Sequence, residues 1–287
     1  MNGRDSKESS ARASFFHRPA PVVTSIIRGQ TPGEILKWAA ASEADGAQGI
    51  AVDLERYRPE FRTREHFRSI MAPFDLPFMF FAYRDDKFAK VQSDAARQEV
   101  LLAAAEAGAE VIDVMADLYD PQPMQLTRDP RAVEKQQRLF DEIRKRGAVP
   151  ELSCHTPCAV NCEQTLEMMK TMEARGAGLV KIVTKVNTPE ELAEAFLTTS
   201  VLKREMNVPF IHLVSGAFAR PHRMAAATLG GCIVFAVHHY EQNKEITQPT
   251  IRELLETMRL IDFSADEPGV KVNTAPSPYP VFVPPEL

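Results

Sequence analysis

A single lysine interrupts an otherwise apolar stretch of this sequence, Gly178–Val183 (GLVKIV). Lysine is almost never buried unless its ammonium has a partner or a chemical task. In a closed pocket, burial would lower the pKa of Lys181 and release the free amine that attacks carbonyl carbons to form imines. The alternative is a lysine whose aliphatic stem packs while its ammonium reaches solvent or a carboxylate.

A histidine follows the preceding apolar stretch, Val149–Cys154 (VPELSC). The imidazole of His155 could carry protons to and from an imine or the carbon next to it. For this residue alone, a histidine that merely caps a loop is the alternative. However, we expect the two apolar stretches to form adjacent strands with Lys181 and His155 at the same depth. Together the two residues predict imine chemistry assisted by proton transfer.

Acidic residues offer a second chemistry, because Asp53 and Glu55 are separated by one residue and therefore face the same side of a strand. With Asp113 or Glu151 they could hold a divalent cation, as in a metal-dependent aldolase or lyase. The alternative is an acidic pair that forms ion pairs with nearby arginines.

Strand-like apolar runs and helical patterns alternate along the chain. The predicted strands are Pro21–Ile27, Gln48–Leu54, Pro77–Ala82, Glu110–Met115, Val149–Cys154, Gly178–Val183, Pro209–Val214 and Gly231–Val237. Repeated strand–helix units of this number predict an α/β fold, a closed (β/α)8 TIM barrel with its chemistry at the carboxyl ends of the strands. An open, doubly wound sheet is the alternative, but Arg28-Gly29-Gln30 follows the first strand in place of a glycine-rich phosphate loop.

The pattern predicts one domain with a tail at each end. Residues 1–19 are polar and charged and predict a disordered leader, whereas residues 20–262 form the barrel. Residues 263–287 are rich in proline and predict an extended C-terminal arm, which is either disordered or crosses onto a partner subunit.

Composition limits the partners and the compartment. The net charge of −5 and the absence of a long apolar run argue against nucleic-acid and membrane partners. Cys154, Cys158 and Cys162 are too crowded for a disulfide framework, which favours a reducing, cytoplasmic location. Their spacing beside His155 leaves a zinc or iron–sulfur site open, although it matches no strong metal-binding motif, and small buried thiols are favoured.

Three stretches of the sequence resemble the type I 3-dehydroquinate dehydratase family. They are Glu151–His155, Leu179–Val183 and the stretch from Val208 through Arg223 to Phe235. The resemblance implies a (β/α)8 barrel that is often dimeric and needs no metal or other cofactor. It also implies that Lys181 forms an imine with the substrate and that His155 acts as the general base and acid.

The same resemblance implies which groups bind the substrate. They are Arg223, which would pair with a carboxylate, together with Arg84, Ser25, Phe235 and, near the family's closing-loop glutamine, Glu245. The second strand departs from the family, because Ala51–Glu55 (AVDLE) lacks its first glutamate and its arginine. We therefore expect Asp53 or Glu55 to replace the missing contacts and to change the specificity.

These observations predict a Schiff-base-forming lyase, a dehydratase that acts on 3-dehydroquinate or a related carboxylated cyclic keto compound. We expect a homodimer or a higher homo-oligomer. Two alternatives stay open: a metal-dependent aldolase or lyase that uses Asp53 and Glu55, and a homologue that binds its ligand without catalysis.

Overall fold

The computed structural model describes residues 13–17, 21–84, 93–240 and 247–261. Its strands are β1 (Val22–Arg28), β2 (Gly49–Asp53), β3 (Phe78–Phe81), β4 (Val111–Met115), β5 (Val149–His155), β6 (Leu179–Lys185), β7 (Phe210–Ser215) and β8 (Ile233–Ala236). Its helices are α1 (Pro32–Ala44), α2 (Arg64–Met71), α3 (Asp94–Ala107), α4 (Pro130–Lys145), α5 (Cys162–Ala174), α6 (Pro189–Glu205), α7 (Ala219–Ala225) and α8 (Ile251–Ile261).

The strands form one parallel sheet in the order β7-β6-β5-β4-β3-β2-β1-β8. The remaining seam is bridged where the Cys232 N–H donates to the Phe210 carbonyl at 2.9 Å. The predicted (β/α)8 barrel is thus confirmed, and the doubly wound alternative is wrong, because the strand order runs round from β1 to β7 without reversing and β8 lies beside β1.

The helices begin at residues whose side chains satisfy free backbone N–H groups. Thr31 accepts a hydrogen bond from the Glu34 N–H, and Ser93 accepts one from the Ala96 N–H. Gly108 ends α3 in the left-handed conformation with φ of 104°, which only glycine adopts without strain. Within the described ranges, no helix is long and apolar enough to cross a membrane.

Strand alternation divides the core into two layers. Residues facing the barrel interior include Ala51, Met79, Phe81, Val111, Leu179, Val183, Ile211, Leu213 and Phe235. The residues between them pack against the surrounding helices, as Leu152 and Cys154 do. Since Leu179 and Val183 point inward, Lys181 does so as well.

Part of the predicted leader lies inside the barrel. Phe15 and Phe16 are buried with the interior residues, and the Phe15 N–H donates to Glu110 Oε2 at 2.9 Å. The prediction of disorder is wrong for residues 13–17, because two adjacent phenylalanines supply the apolar surface that closes the barrel's amino-terminal end. The other predicted boundaries fall on residues outside the described ranges and stay predictions.

Gly49 in β2 allows this closure, because a Cβ atom at this position would overlap the ring of Phe15. We expect Gly49→Ala to lower the free energy of unfolding by about 1–3 kcal/mol through overpacking, measured by urea titration. Gly33→Ala, on the exposed side of α1, is the matched control and is expected to stabilise by about 0.5–1 kcal/mol. Equal effects of the two substitutions would contradict this packing.

Candidate active site

The ammonium of Lys181 is enclosed by polar groups from the neighbouring strands. Its Nζ donates to Asp113 Oδ2 at 2.5 Å and to the Tyr83 hydroxyl at 2.7 Å, and it lies 3.5 Å from Glu151 Oε1. The Tyr83 hydroxyl and the Ser153 hydroxyl in turn donate to the two oxygens of Asp113. Lys181 is only 2% exposed, so its charge is compensated by protein groups and hardly by water.

The prediction that the pKa of Lys181 is lowered is wrong. Burial lowers the pKa of this ammonium, but the charges of Asp113, Glu151 and Tyr83 outweigh that effect and raise its pKa well above the usual value. The resting lysine is therefore an ion-paired cation. Neutral amine arises only when Lys181 transfers a proton to another group.

Glu151 is the least satisfied member of the cluster. Its side chain is fully buried, and neither carboxyl oxygen has a hydrogen-bond partner among the described residues. Burial raises the pKa of Glu151 to about 8, even though the Lys181 charge opposes that rise. The carboxyl group therefore holds a proton at neutral pH, so that Lys181 and Asp113 form a neutral pair beside an uncharged acid.

His155 lies at the end of β5 with its ring edge-on to Tyr83, at 4.9 Å between centroids. Burial, together with the charge of Lys181, lowers the pKa of His155 to about 3, so the imidazole is neutral. Gln125 Oε1 accepts the His155 backbone N–H at 2.9 Å and lies 3.3 Å from Nδ1. Because that oxygen accepts, Nδ1 carries the hydrogen, and Nε2 has the free lone pair of a base.

Both residues border one cavity of about 350 Å³ at the carboxyl-end rim. The other residues that line it include Arg28, Asp53, Glu55, Phe81, Tyr83, Lys185, Ser215, Arg223 and Phe235. Arg223 is buried, and its Nε donates to the Val214 carbonyl at 2.6 Å, which fixes the guanidinium at the cavity wall. Burial lowers the pKa of Arg223 to about 10, so it remains a cation at neutral pH.

The carboxylate of Asp53, the last residue of β2, is bound by groups of the protein itself. Asp53 Oδ2 accepts from Arg28 Nε at 2.6 Å, and Oδ1 accepts the Glu55 N–H at 3.0 Å. The carboxylates that the metal hypothesis adds, Asp113 and Glu151, lie around Lys181 instead. In the described part of the chain, no group of three or more His, Cys, Asp or Glu residues is placed to hold a metal ion.

Two predicted substrate-binding residues do not line the cavity. Ser25 faces the helices and hydrogen-bonds Ser42 at 2.8 Å, because alternation in β1 turns Ile26 and Arg28 inward instead. Arg84 pairs with Asp117 at 2.7 Å and with Asp94 at 3.2 Å, so its guanidinium is held outside the cavity. These two predictions are corrected accordingly, and Glu245 lies outside the described residues.

Two residues close to Lys181 were not predicted as its partners. Asp113 interrupts the apolar strand Val111–Met115 as Lys181 interrupts β6, and this shared anomaly could have paired them. Tyr83 gave no such signal, because it follows a stretch rich in phenylalanine, a pattern that is typical of ordinary core residues.

The whole chain was compared with known proteins. A family model described as Type I 3-dehydroquinase matches residues 27–264. A sequence search of curated proteins gives no match.

Solved structures with a similar fold include several 3-dehydroquinate dehydratases. That of Geobacillus kaustophilus has a TM-score of 0.71 at 16% identity, over 85% of this chain and 91% of that one. The type I enzyme of Clostridium difficile has a TM-score of 0.71 at 15% identity, over 86% and 94%. That of Enterococcus faecalis has a TM-score of 0.68 at 14% identity, over 84% and 94%. At these identities the likeness is one of fold.

The raised pKa of Glu151 makes stability depend on pH. The folded protein retains a proton that the unfolded chain releases above about pH 4.5, so stability falls as pH rises from there to about 8. Glutamine cannot ionise, and we expect Glu151→Gln to gain stability over the unmodified protein across this range, on the order of 2–4 kcal/mol. Urea titrations at several pH values measure the difference. The exposed Glu43→Gln is the control, and parallel curves for Glu151→Gln and the unmodified protein would disprove the assignment.

Proposed function

Because this chain belongs to the type I 3-dehydroquinase family, we propose that it is a dehydratase that forms an imine between Lys181 and a carboxylated cyclic keto compound, 3-dehydroquinate or a relative. One observation carries the proposal: Lys181 reaches a rim cavity beside a neutral histidine, with a proton acceptor 2.5 Å from its Nζ. The Clostridium difficile structure, which contains covalently modified comenic acid, supports covalent chemistry in such a barrel.

The first step is the release of the amine. Asp113 is the nearest acceptor for the Lys181 proton, and the transfer turns a buried ion pair into two neutral groups. The amine then attacks the substrate carbonyl carbon, and Asp113 returns its proton to the resulting carbinolamine, whose hydroxyl group leaves as water to give a protonated imine. The positive charge returns to the position beside Asp113, where the barrel already stabilises a cation.

The second step is elimination. Nε2 of His155 removes a proton from the carbon next to the imine, and the electron pair is delocalised into the C=N⁺ group. The imidazolium then gives this proton to the hydroxyl group on the following carbon, which leaves as water. Hydrolysis of the imine releases the conjugated product and restores Lys181.

Other lining residues orient the substrate in this proposal. Arg223 pairs with the substrate carboxylate, bidentately through its two terminal nitrogens, and Phe235 packs against the ring. Asp53 and Glu55, on the far side of the cavity, accept hydrogen bonds from substrate hydroxyl groups. The predicted homodimer and the cytoplasmic location stay predictions.

Borohydride trapping tests the imine. We expect reduction in the presence of 3-dehydroquinate or a related cyclic keto acid to fix the compound on Lys181 as a secondary amine, detected by intact and peptide mass. Lys181→Met should give no adduct, since methionine cannot form an imine. Lys135→Met, on the exposed face of α4, is the matched control and should trap normally.

A double variant distinguishes loss of imine formation from loss of folding. Lys181→Met alone leaves the carboxylate of Asp113 buried and unpaired, whereas Lys181→Met with Asp113→Asn removes both charges. The double variant should therefore fold and give the circular dichroism spectrum of the unmodified protein. Absence of any adduct in the unmodified protein would rule out the imine mechanism. Loss of turnover with a chelator would then favour the metal-dependent alternative, and binding without turnover would favour the non-catalytic one.

The role of His155 has its own test. We expect His155→Gln to form the adduct but to slow dehydration by about 10²–10⁴-fold, the usual contribution of a positioned acid–base group. The trapped adduct should then be heavier by one water, because the hydroxyl group is retained. His66→Gln in α2 is the control. An undiminished dehydration rate in His155→Gln would place the base elsewhere.

A further inference from the structure

Two cations other than Lys181 border the same side of the active-site cavity. Lys185 is the last residue of β6 and lies opposite Ser215 of β7 in the register of the sheet. Arg223 reaches the same place from α7, since its Nε donates to the carbonyl of Val214, the residue before Ser215. Lys185, Ser215 and Arg223 all line the cavity. Burial and the charge of Lys181 are the main causes that lower the pKa of His155, and the positive charges of Arg223 and Lys185 lower it further.

The carboxylates of the cavity lie on its opposite side. Among the described lining residues, Asp53 and Glu55 are the acidic ones, and both follow or end β2. In the strand order, β2 is four positions from β6, which places it across an eight-stranded barrel. Asp53 is paired with Arg28, whereas Asp113 and Glu151 are paired with Lys181. Neither Lys185 nor Arg223 forms an ion pair with a carboxylate of the described chain.

Two like charges in one confined site repel each other unless an anion lies between them. In the bidentate geometry, one substrate carboxylate directs both of its oxygens at a single guanidinium. The ammonium of Lys185 then has no carboxylate partner among the described residues on its side of the cavity. A second negative group on the ligand would supply it.

We propose that this active site selects a keto compound with two carboxylates, one bound by Arg223 and the second by Lys185. This inference rests on the proposed function for the keto group, but the binding of two carboxylates does not depend on imine formation. Lys185 is thus a specificity-determining residue.

Ligands without a ketone separate this proposal from the imine mechanism. Benzoate and isophthalate differ by one carboxylate on the same ring, and neither can form an imine with Lys181. We expect calorimetric titration of the unmodified protein to show isophthalate binding about tenfold or more tightly than benzoate, the gain of one charge-assisted contact. Lys185→Met should abolish this preference, whereas Lys185→Arg should retain it.

Lys135→Met serves as the control for a general loss of positive charge and should keep the preference. Equal affinity for the two compounds, no binding of isophthalate, or a preference that persists in Lys185→Met would overturn the proposal. Tighter, Lys185-dependent binding of phenyl phosphate than of isophthalate would overturn it in favour of a phosphorylated substrate. Failure of borohydride trapping alone leaves these binding results intact, so the two hypotheses fail separately.

Discussion

The ion pair between Lys181 and Asp113 is the constraint that organises the barrel interior. An unpaired ammonium at this depth would cost several kcal/mol, a large part of the stability of an ordinary domain. Four consecutive strands or their ends therefore contribute to one cluster: Tyr83 after β3, Asp113 from β4, Glu151 from β5 and Lys181 from β6. Below this cluster the barrel interior contains a group of buried apolar residues, against which Phe15 and Phe16 pack.

The sequence revealed groups that violate the pattern of their own strand. Lys181 stands out in GLVKIV, and strand counting placed His155 on the neighbouring strand at the rim, which the structure confirms. The direction of the Lys181 pKa shift was not predicted correctly, because it depends on Asp113, which lies 68 positions earlier in the chain. Each of the two residues interrupts its own apolar strand, but the closeness of their charged groups follows only from the closure of the barrel.

Errors at Ser25 and Arg84 have a different origin. Ser25 was matched to a substrate-binding residue of the family by its position in the first strand. A shift of one residue along a strand turns a side chain to the opposite face of the sheet, and the Ser25 side chain lies against Ser42 on the helix side. Arg84 was matched by its place after β3, but Asp94 and Asp117 come from other elements and hold its guanidinium. Knowledge that the side chain of Ile26 faces the cavity would have corrected the first error. The second requires knowledge of tertiary contacts.

The charge of Lys181 also sets the chemistry available to His155. After burial, that charge is the largest influence that lowers the pKa of the imidazole. In the proposed reaction, the protonated imine carries this charge while the imidazole removes the proton from the neighbouring carbon, and the released electron pair then neutralises the charge. The imidazolium is therefore formed beside a neutral enamine, where burial keeps it a strong acid. A strong acid is what protonation of a leaving hydroxyl group requires, so the charge of the imine promotes the first proton transfer and the burial of His155 promotes the second.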